Sequence, residues 1–365
     1  MISSEKITNF AVNKKIDQMI RFDNDYMAGC HPKILEQLSL TNLEETPGYG
    51  HDHYCKEASE LIRKECGNPD AEVWFMNGGT QTNSTVLNAL LRRHEGVIAT
   101  ESGHIAVHEA GAVEAWGHKV IELPSTDGKL YASAIDRYIT DFYADATYPH
   151  MVFPCAAYIS FPTELGTLYS LKELTDISEV CHKHNIPLFI DGARLGYGLM
   201  AESCDVTIQD IARLSDVFYI GGTKVGLLFG EAVVAKSPKL LPHFFTTIKQ
   251  HGALLAKGRL LGIQFKTLFT DGLYYEVSQH AIRQANRIRE AFTQNGYKIA
   301  FDSPTNQQFF TLPNEAMDRL AENVSFEVWG RRGKTETTVR FVTSWSTKTE
   351  DVDCLIQQIN KLNNK

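Results

Sequence analysis

The sequence predicts an α/β protein: a large, doubly wound, mostly parallel sheet domain followed by a smaller C-terminal α+β domain. Three observations carry that expectation. From Ala71 onward, short β-rich runs alternate with helical stretches across Gly or Ser breaks, the pattern of crossover units building a parallel sheet. After about Pro242 the pattern changes to long helical runs followed by short strands and a last helix. The 365 residues, 43% hydrophobic and 22% charged, suffice for a large core and two domains.

The elements follow in order. EVWFMNGG reads as a strand and TQTNSTVLNALLRRH as its helix, with Val86, Leu87, Leu90 and Leu91 on one face. GVIATES, HMVFPCAAYIS, IPLFIDGA, DVFYIGG and LFGEAVVAK read as further strands. LKELTDISEVCHKHN is a helix between them, its apolar residues recurring at three and four. FFTTIKQHGALLAKGRLLGIQFKTLF and YYEVSQHAIRQANRIREAFTQNG read as long helices. Strands are expected near QQFFTLP, VSFEVWG and TTVRFVTSW, and a final helix in TEDVDCLIQQINKLN. No low-complexity tract or Pro/Gly-rich linker interrupts the chain. We therefore expect an N-terminal arm (1–20), a large domain (21–250) and a small domain (251–365), tightly packed and joined by helix.

Composition excludes several classes of partner. A formal net charge of -8 and a pI near 5.9, without a dense basic cluster, argue against nucleic acid and for a small-molecule substrate. The first twenty residues are polar, and no stretch approaches the roughly 18 apolar residues of a membrane span, so a cytoplasmic protein is expected. The seven cysteines are scattered without a C-x-x-C pair and read as reduced thiols. His51-Asp52-His53 and His182/His184 come without further ligands at telling spacing, so no metal site is expected. GRRGKTET at 330–337 lacks the earlier glycine of a P-loop.

Four segments carry chemistry. In FIDGARLG (189–196) an apolar strand ends in Asp191, and a buried carboxylate there needs a cationic partner. In DVFYIGGTKVG an apolar strand ends in two glycines, a threonine and Lys224, placing an amine in a pocket. Desolvation lowers an amine's pKa, so Lys224 can act as a neutral nucleophile toward an aldehyde. Pyridoxal 5'-phosphate (PLP) needs such a lysine, and also a carboxylate such as Asp191 against its pyridinium nitrogen. FMNGGTQTN (75–83) runs from a strand through Gly78, Gly79 and Thr80 into a helix, an anion site to which Thr80 and Asn83 would add donors. ESGHIAVHEAGA (101–112) places His104 after a strand and turn, where an imidazole can stack on a flat ring. Singly, each has a plainer reading as an ordinary turn, an ion-pair residue or a structural histidine. Their joint order carries the argument.

These segments, with RFDNDYMAG at 21–29, PGYGHD and TTVRFVTSW at 337–345, resemble the threonine aldolase and β-eliminating lyase group of fold-type I PLP enzymes, in its low-specificity threonine aldolase-like branch. The resemblance covers nearly the whole chain. It implies that Lys224 forms the Schiff base, Asp191 partners the pyridine nitrogen, His104 stacks on the ring, and Gly79 and Thr80 hold the phosphate. It further implies that Arg340 clamps the substrate carboxylate, that Arg194 lies near that carboxylate and the cofactor's phenolic oxygen, and that Asn24 and Tyr49 line the substrate site. Tyr49 and the segment around Lys249 are implied to serve a neighbouring subunit, hence a homodimer or homotetramer. Two positions depart from the family pattern: Glu164 stands where a histidine contacting the substrate hydroxyl is usual, and Lys249 stands where an arginine contacts the phosphate. The implied activity is retro-aldol cleavage of L-threonine, L-allo-threonine or related β-hydroxy-α-amino acids to glycine and an aldehyde. The general base stays open among His104, Glu164 through a water, and a phosphate-bound water. The rival activity is PLP-dependent β-elimination on a small amino acid, with racemisation and transamination weaker. A non-catalytic PLP-binding protein is the alternative of another class.

Overall fold

Near-continuous apolar strands can be satisfied only if both faces of their sheet are covered. The computed structural model, which describes residues 19–362, shows that arrangement. Its strands are β1 (Ile20–Arg21), β2 (Glu72–Met76), β3 (Glu95–Thr100), β4 (Lys119–Leu123), β5 (Phe153–Ser160), β6 (Leu188–Asp191), β7 (Val217–Gly221), β8 (Glu231–Ala235), β9 (Lys298–Phe301), β10 (Gln307–Pro313), β11 (Val324–Ser325), β12 (Glu327–Val328) and β13 (Glu336–Val342). Among the described residues the large sheet has seven strands, in the order β2-β8-β7-β6-β5-β3-β4. Only β8 runs against its neighbours; all other strands share one direction, so the sheet is mostly parallel as expected.

Successive residues along each strand enter opposite cores, the period-two consequence of the pleat. Ile98, Ile159, Ile190, Phe218 and Val234 pack on one face, while Val97, Tyr158, Phe189, Tyr219 and Val233 pack on the other. β4 is an edge strand that the sequence reading does not single out. Its solvent-facing Lys119 and Glu122 break the apolar run that marks the inner strands.

The smaller sheet, β12-β13-β10-β9, is antiparallel. Its core joins Phe310, Phe341 and Val339 to Ile288 and Phe292 of the helix Leu273–Gln294 and to Val352, Leu355 and Ile359 of the helix Thr349–Leu362. The helix Leu273–Gln294 therefore spans both cores, since Leu273, Tyr274, Val277 and Ile282 pack against the large sheet. Of the expected N-terminal arm, residues 1–18 lie outside the described residues, and β1 pairs in parallel with β11.

The single long helix expected across 244–269 is in fact two, Phe244–Gln250 and Arg259–Leu268. Gly252 takes a left-handed φ of 67° between them, a conformation glycine adopts freely and a helix cannot propagate through.

Candidate active site

In an open α/β sheet, ligands bind beyond the carboxyl ends of the parallel strands. Here β2 leads to Gly79, β3 to His104, β5 to Ser160 and Glu164, β6 to Asp191 and Arg194, and β7 to Lys224. Gly79, His104, Ser160, Glu164, Asp191, Ala193, Arg194, Tyr219 and Lys224 line one cavity there, with Pro162 and Thr163. Residues separated by 145 positions in sequence thus meet because each ends, or follows, a strand of the same sheet.

Two glycines explain how the strand ends come together. A Cβ on Gly192 would stand 1.9 Å from the Tyr219 carbonyl oxygen, and one on Gly221 would stand 2.2 Å from the Ala193 carbonyl oxygen. The DGAR and GGTK turns therefore lie backbone to backbone, tied by Gly221 N–H donating to Gly192 O at 2.9 Å.

Asp191 is buried at 4% exposure and fully engaged. Its Oδ1 accepts from Tyr219 Oη at 2.5 Å and Ala193 N at 2.9 Å. Its Oδ2 accepts from Tyr158 Oη at 2.6 Å and Asn83 Nδ2 at 2.9 Å. Burial pushes its carboxyl up, but the nearby His104 and the two phenol hydrogen bonds outweigh that and hold it below the usual carboxylate range. Asp191 is thereby kept as an anion.

Lys224 sits in the turn after β7, its backbone carbonyl accepting from Tyr197 Oη at 2.6 Å. Burial, reinforced by the Arg194 charge, lowers its amine's pKa, which favours the neutral nucleophile. The helix Gly79–Leu90 opens beside it with Gly78 at its N-cap and no capping side chain, leaving first-turn N–H groups for an anion. Thr80 is exposed at that opening. Asn83 is turned inward, its amide donating to Asp191 and to Glu109; the reading of Asn83 as a phosphate donor is corrected by that geometry.

His104 Nδ1 lies 2.7 Å from Glu109 Oε1, while the His104 backbone N–H donates to Glu164 Oε1 at 2.8 Å. Glu164 also accepts from Ser160 Oγ at 2.6 Å, and burial raises its carboxyl pKa. Arg194 forms a two-pronged pair with the buried Asp25. Arg340 donates to Gln307 Oε1 at 2.7 Å and to Glu327, and its guanidinium lies over the Trp329 ring at 4.9 Å.

Five sequence-predicted residues, Asn24, Tyr49, Thr80, Lys249 and Arg340, are not among those lining this cavity. Asn24 is half-buried and accepts from Tyr26 N at 3.1 Å. Lys249 Nζ lies 4.3 Å from the centre of the Tyr49 ring, so those two meet each other instead of Lys224. Asp25, Glu109, Tyr158 and Tyr219 are the site residues that sequence reasoning missed. The two tyrosines sit inside apolar strands and read there as core, whereas Glu109, five residues after His104, carried a usable signal. A larger, more open groove at Asp127, Lys129, Glu173 and Arg289 has both of its basic groups paired internally, Lys129 with Glu173 and Arg289 with Asp302, and lacks a convergent reactive set.

Known proteins agree with this architecture. Residues 23–331 match the β-eliminating lyase family. The chain is 30% identical to the low specificity L-threonine aldolase of Pseudomonas aeruginosa over 94% of its own length and 98% of that protein. It is 41% identical to the solved threonine aldolase of Leishmania major, with a TM-score of 0.91 over 94% of this chain and 99% of that one. The Thermus thermophilus aspartate aminotransferase, at 14% identity and a TM-score of 0.69 over 98% of this chain and 94% of that one, shares the fold.

Proposed function

The chain belongs to the β-eliminating lyase family, and from that membership we propose that it is a PLP-dependent aldolase cleaving L-threonine, L-allo-threonine or related β-hydroxy-α-amino acids to glycine and an aldehyde. The observation that carries this reading is the convergence of Lys224, Asp191, His104 and Arg194 on one cavity. Its relatives' names point to the same chemistry, two of them being called low specificity L-threonine aldolases.

The residues present fit PLP. Lys224 offers an amine of lowered pKa, Asp191 an anion held by four donors, and the uncapped start of helix Gly79–Leu90 an anion cradle. PLP, when bound, supplies an aldehyde for an amine to condense with and a pyridinium ring that takes up the electron pair of a breaking substrate bond.

Around that group the chain's own side chains divide the work. Asp191 would keep a proton on the pyridine nitrogen. Arg194 and Arg340 would hold the substrate carboxylate and so decide which bond at Cα stands perpendicular to the ring. The β-hydroxyl proton would pass to His104 or to Glu164, whose raised pKa brings a carboxylate nearer the working range of a base. Tyr49 and Lys249, both outside the cavity, are proposed to serve the site of a second subunit in a homodimer or homotetramer.

The test is aldehyde release from L-allo-threonine and L-threonine by PLP-saturated protein, with Lys224→Ala as the blank. Aldehyde with equimolar glycine, lost in the variant, is expected. Absence of aldehyde alongside a Lys224-dependent PLP absorbance band would overturn the aldolase and leave β-elimination as the activity of the same cradle.

A further inference from the structure

Behind His104 lie two buried polar residues, Asn83 and Glu109, that the reaction as described does not use. Asn83 Nδ2 donates to Asp191 Oδ2 at 2.9 Å and to Glu109 Oε1 at 2.7 Å, and Glu109 Oε1 lies 2.7 Å from His104 Nδ1. Asn83 and Glu109 are 0% and 4% exposed. Glu109 Oε2 and Asn83 Oδ1 are buried without a hydrogen-bond partner among the described residues. A cluster kept only for packing would seldom tolerate two orphaned polar atoms, since each costs the full desolvation of an unpaired group.

A carboxylate oxygen only accepts, so Glu109 Oε1 takes its bond from the imidazole as it does from Asn83, by donation, here from Nδ1–H. That leaves Nε2 as the ring nitrogen with a lone pair for the cavity that His104 lines.

We propose that Glu109 is the positioning residue of His104: it fixes the Nδ1–H tautomer, presents Nε2 as the acceptor of the substrate's β-hydroxyl proton, and through Asn83 joins this imidazole to Asp191 in one network. The kinetic part rests on the aldolase reading above. In that step the O–H bond breaks and an N–H bond forms at Nε2. The C–O bond becomes the aldehyde carbonyl, and the Cα–Cβ pair stays with the Cα fragment. Glu109 then faces an imidazolium and stabilises it without moving. Asp191, Glu164 and the His108 ring, whose centroid lies 5.7 Å from that of His104, are the other titratable groups facing it.

Two measurements on the holoenzyme test this. Isotope-labelled histidine NMR, with the His104 signal identified by its loss in His104→Asn, should show the Nδ1–H tautomer in the wild type and its loss in Glu109→Ala. A double-mutant cycle should show that Glu109→Gln lowers kcat about 10- to 100-fold with KM and PLP content little changed, that Glu109→Asp restores part of it, and that Glu109→Gln has no further effect in a His104→Asn background. Equal losses in both backgrounds, or an Nε2–H tautomer in the wild type, would overturn the proposal. The NMR arm remains decisive even if the protein cleaves no β-hydroxy amino acid, which separates failure of this inference from failure of the aldolase reading.

Discussion

Arg194 holds Asp25 through two parallel hydrogen bonds, Nε to Oδ2 at 2.7 Å and Nη2 to Oδ1 at 3.0 Å. The Asp25 side chain is 0% and that of Arg194 13% exposed. Asp25 Oδ2 also accepts from Asn306 Nδ2 at 2.9 Å. One carboxylate thus ties the N-terminal segment to the end of β6 and to the start of β10 in the smaller sheet. Burial pushes the Asp25 carboxyl up, but the Arg194 and Lys224 charges hold it below the usual range. Asp25→Ala should therefore leave Arg194 buried and unpaired, costing about 3–5 kcal/mol, read as a fall in the denaturant midpoint. A loss below about 1 kcal/mol, the worth of an exposed pair, would refute the assignment.

Gly192 and Gly78 should respond oppositely to the same added methyl group. Gly192→Ala puts a Cβ 1.9 Å from the Tyr219 carbonyl oxygen, whereas a Cβ at Gly78 meets nothing within 4 Å among the described residues. Gly192→Ala is expected to yield insoluble or strongly destabilised protein. Gly78→Ala should fold with an unchanged melting temperature but retain PLP poorly on dialysis, because its methyl enters the open space before the helix. Normal PLP retention by Gly78→Ala would remove the phosphate from that turn.

Glu231 opens β8 at the same rim, paired in register with Gly221 and Met76, and its Oε2 accepts from Gly222 N at 3.0 Å. Burial raises its carboxyl pKa to about 8, with Thr223, the Gly222 N–H and Lys224 opposing. The unfolded carboxyl titrates near the ordinary 4.5. Between those two values the folded protein keeps a proton that the unfolded chain has lost. The contribution to stability is thus complete below the lower value and falls as pH rises toward the upper. Glu231→Gln should gain on the wild type in denaturant midpoint as pH is raised from about 5 to about 8. A constant difference across that window would show that Glu231 does not titrate there.

Arg340 is held in place by Gln307, Glu327 and the Trp329 face. Arg340→Lys keeps the charge and loses the planar fork. Losing one charge-assisted hydrogen bond of about 1.5–3 kcal/mol should raise KM for the amino acid about 10- to 100-fold, with PLP content unchanged. An unaltered KM would mean that the guanidinium serves only its contacts with Gln307, Glu327 and Trp329.

Much of this was legible in the chain because it depends on local pattern. The runs ending in Asp191 and Lys224 are apolar because both faces of β6 and β7 are buried, and that burial is visible as composition. The partners of those residues were not. Tyr158 and Tyr219 read as core in their strands, and only the register of β5, β6 and β7 turns their hydroxyls onto Asp191. Asp25 was passed over for its neighbour Asn24, since nothing local distinguishes a carboxylate that meets an arginine 169 residues away.

The sequence by itself determined the alternating α/β order, the mostly parallel sheet, the glycine turns at its strand ends, and the reactive set Lys224, Asp191, His104 and Arg194. All of these follow from short-range periodicity and from the side-chain chemistry each position can hold. Tertiary structure alone decided that β8 runs antiparallel, that Gly252 divides a helical run, that Asn83 turns inward to join Asp191 to Glu109, and that Tyr49 and Lys249 meet away from the cavity. The physical reason is that hydrogen bonds and charge pairs are set by distance in space. Distance in space is fixed by the packing of whole elements, which local pattern does not encode.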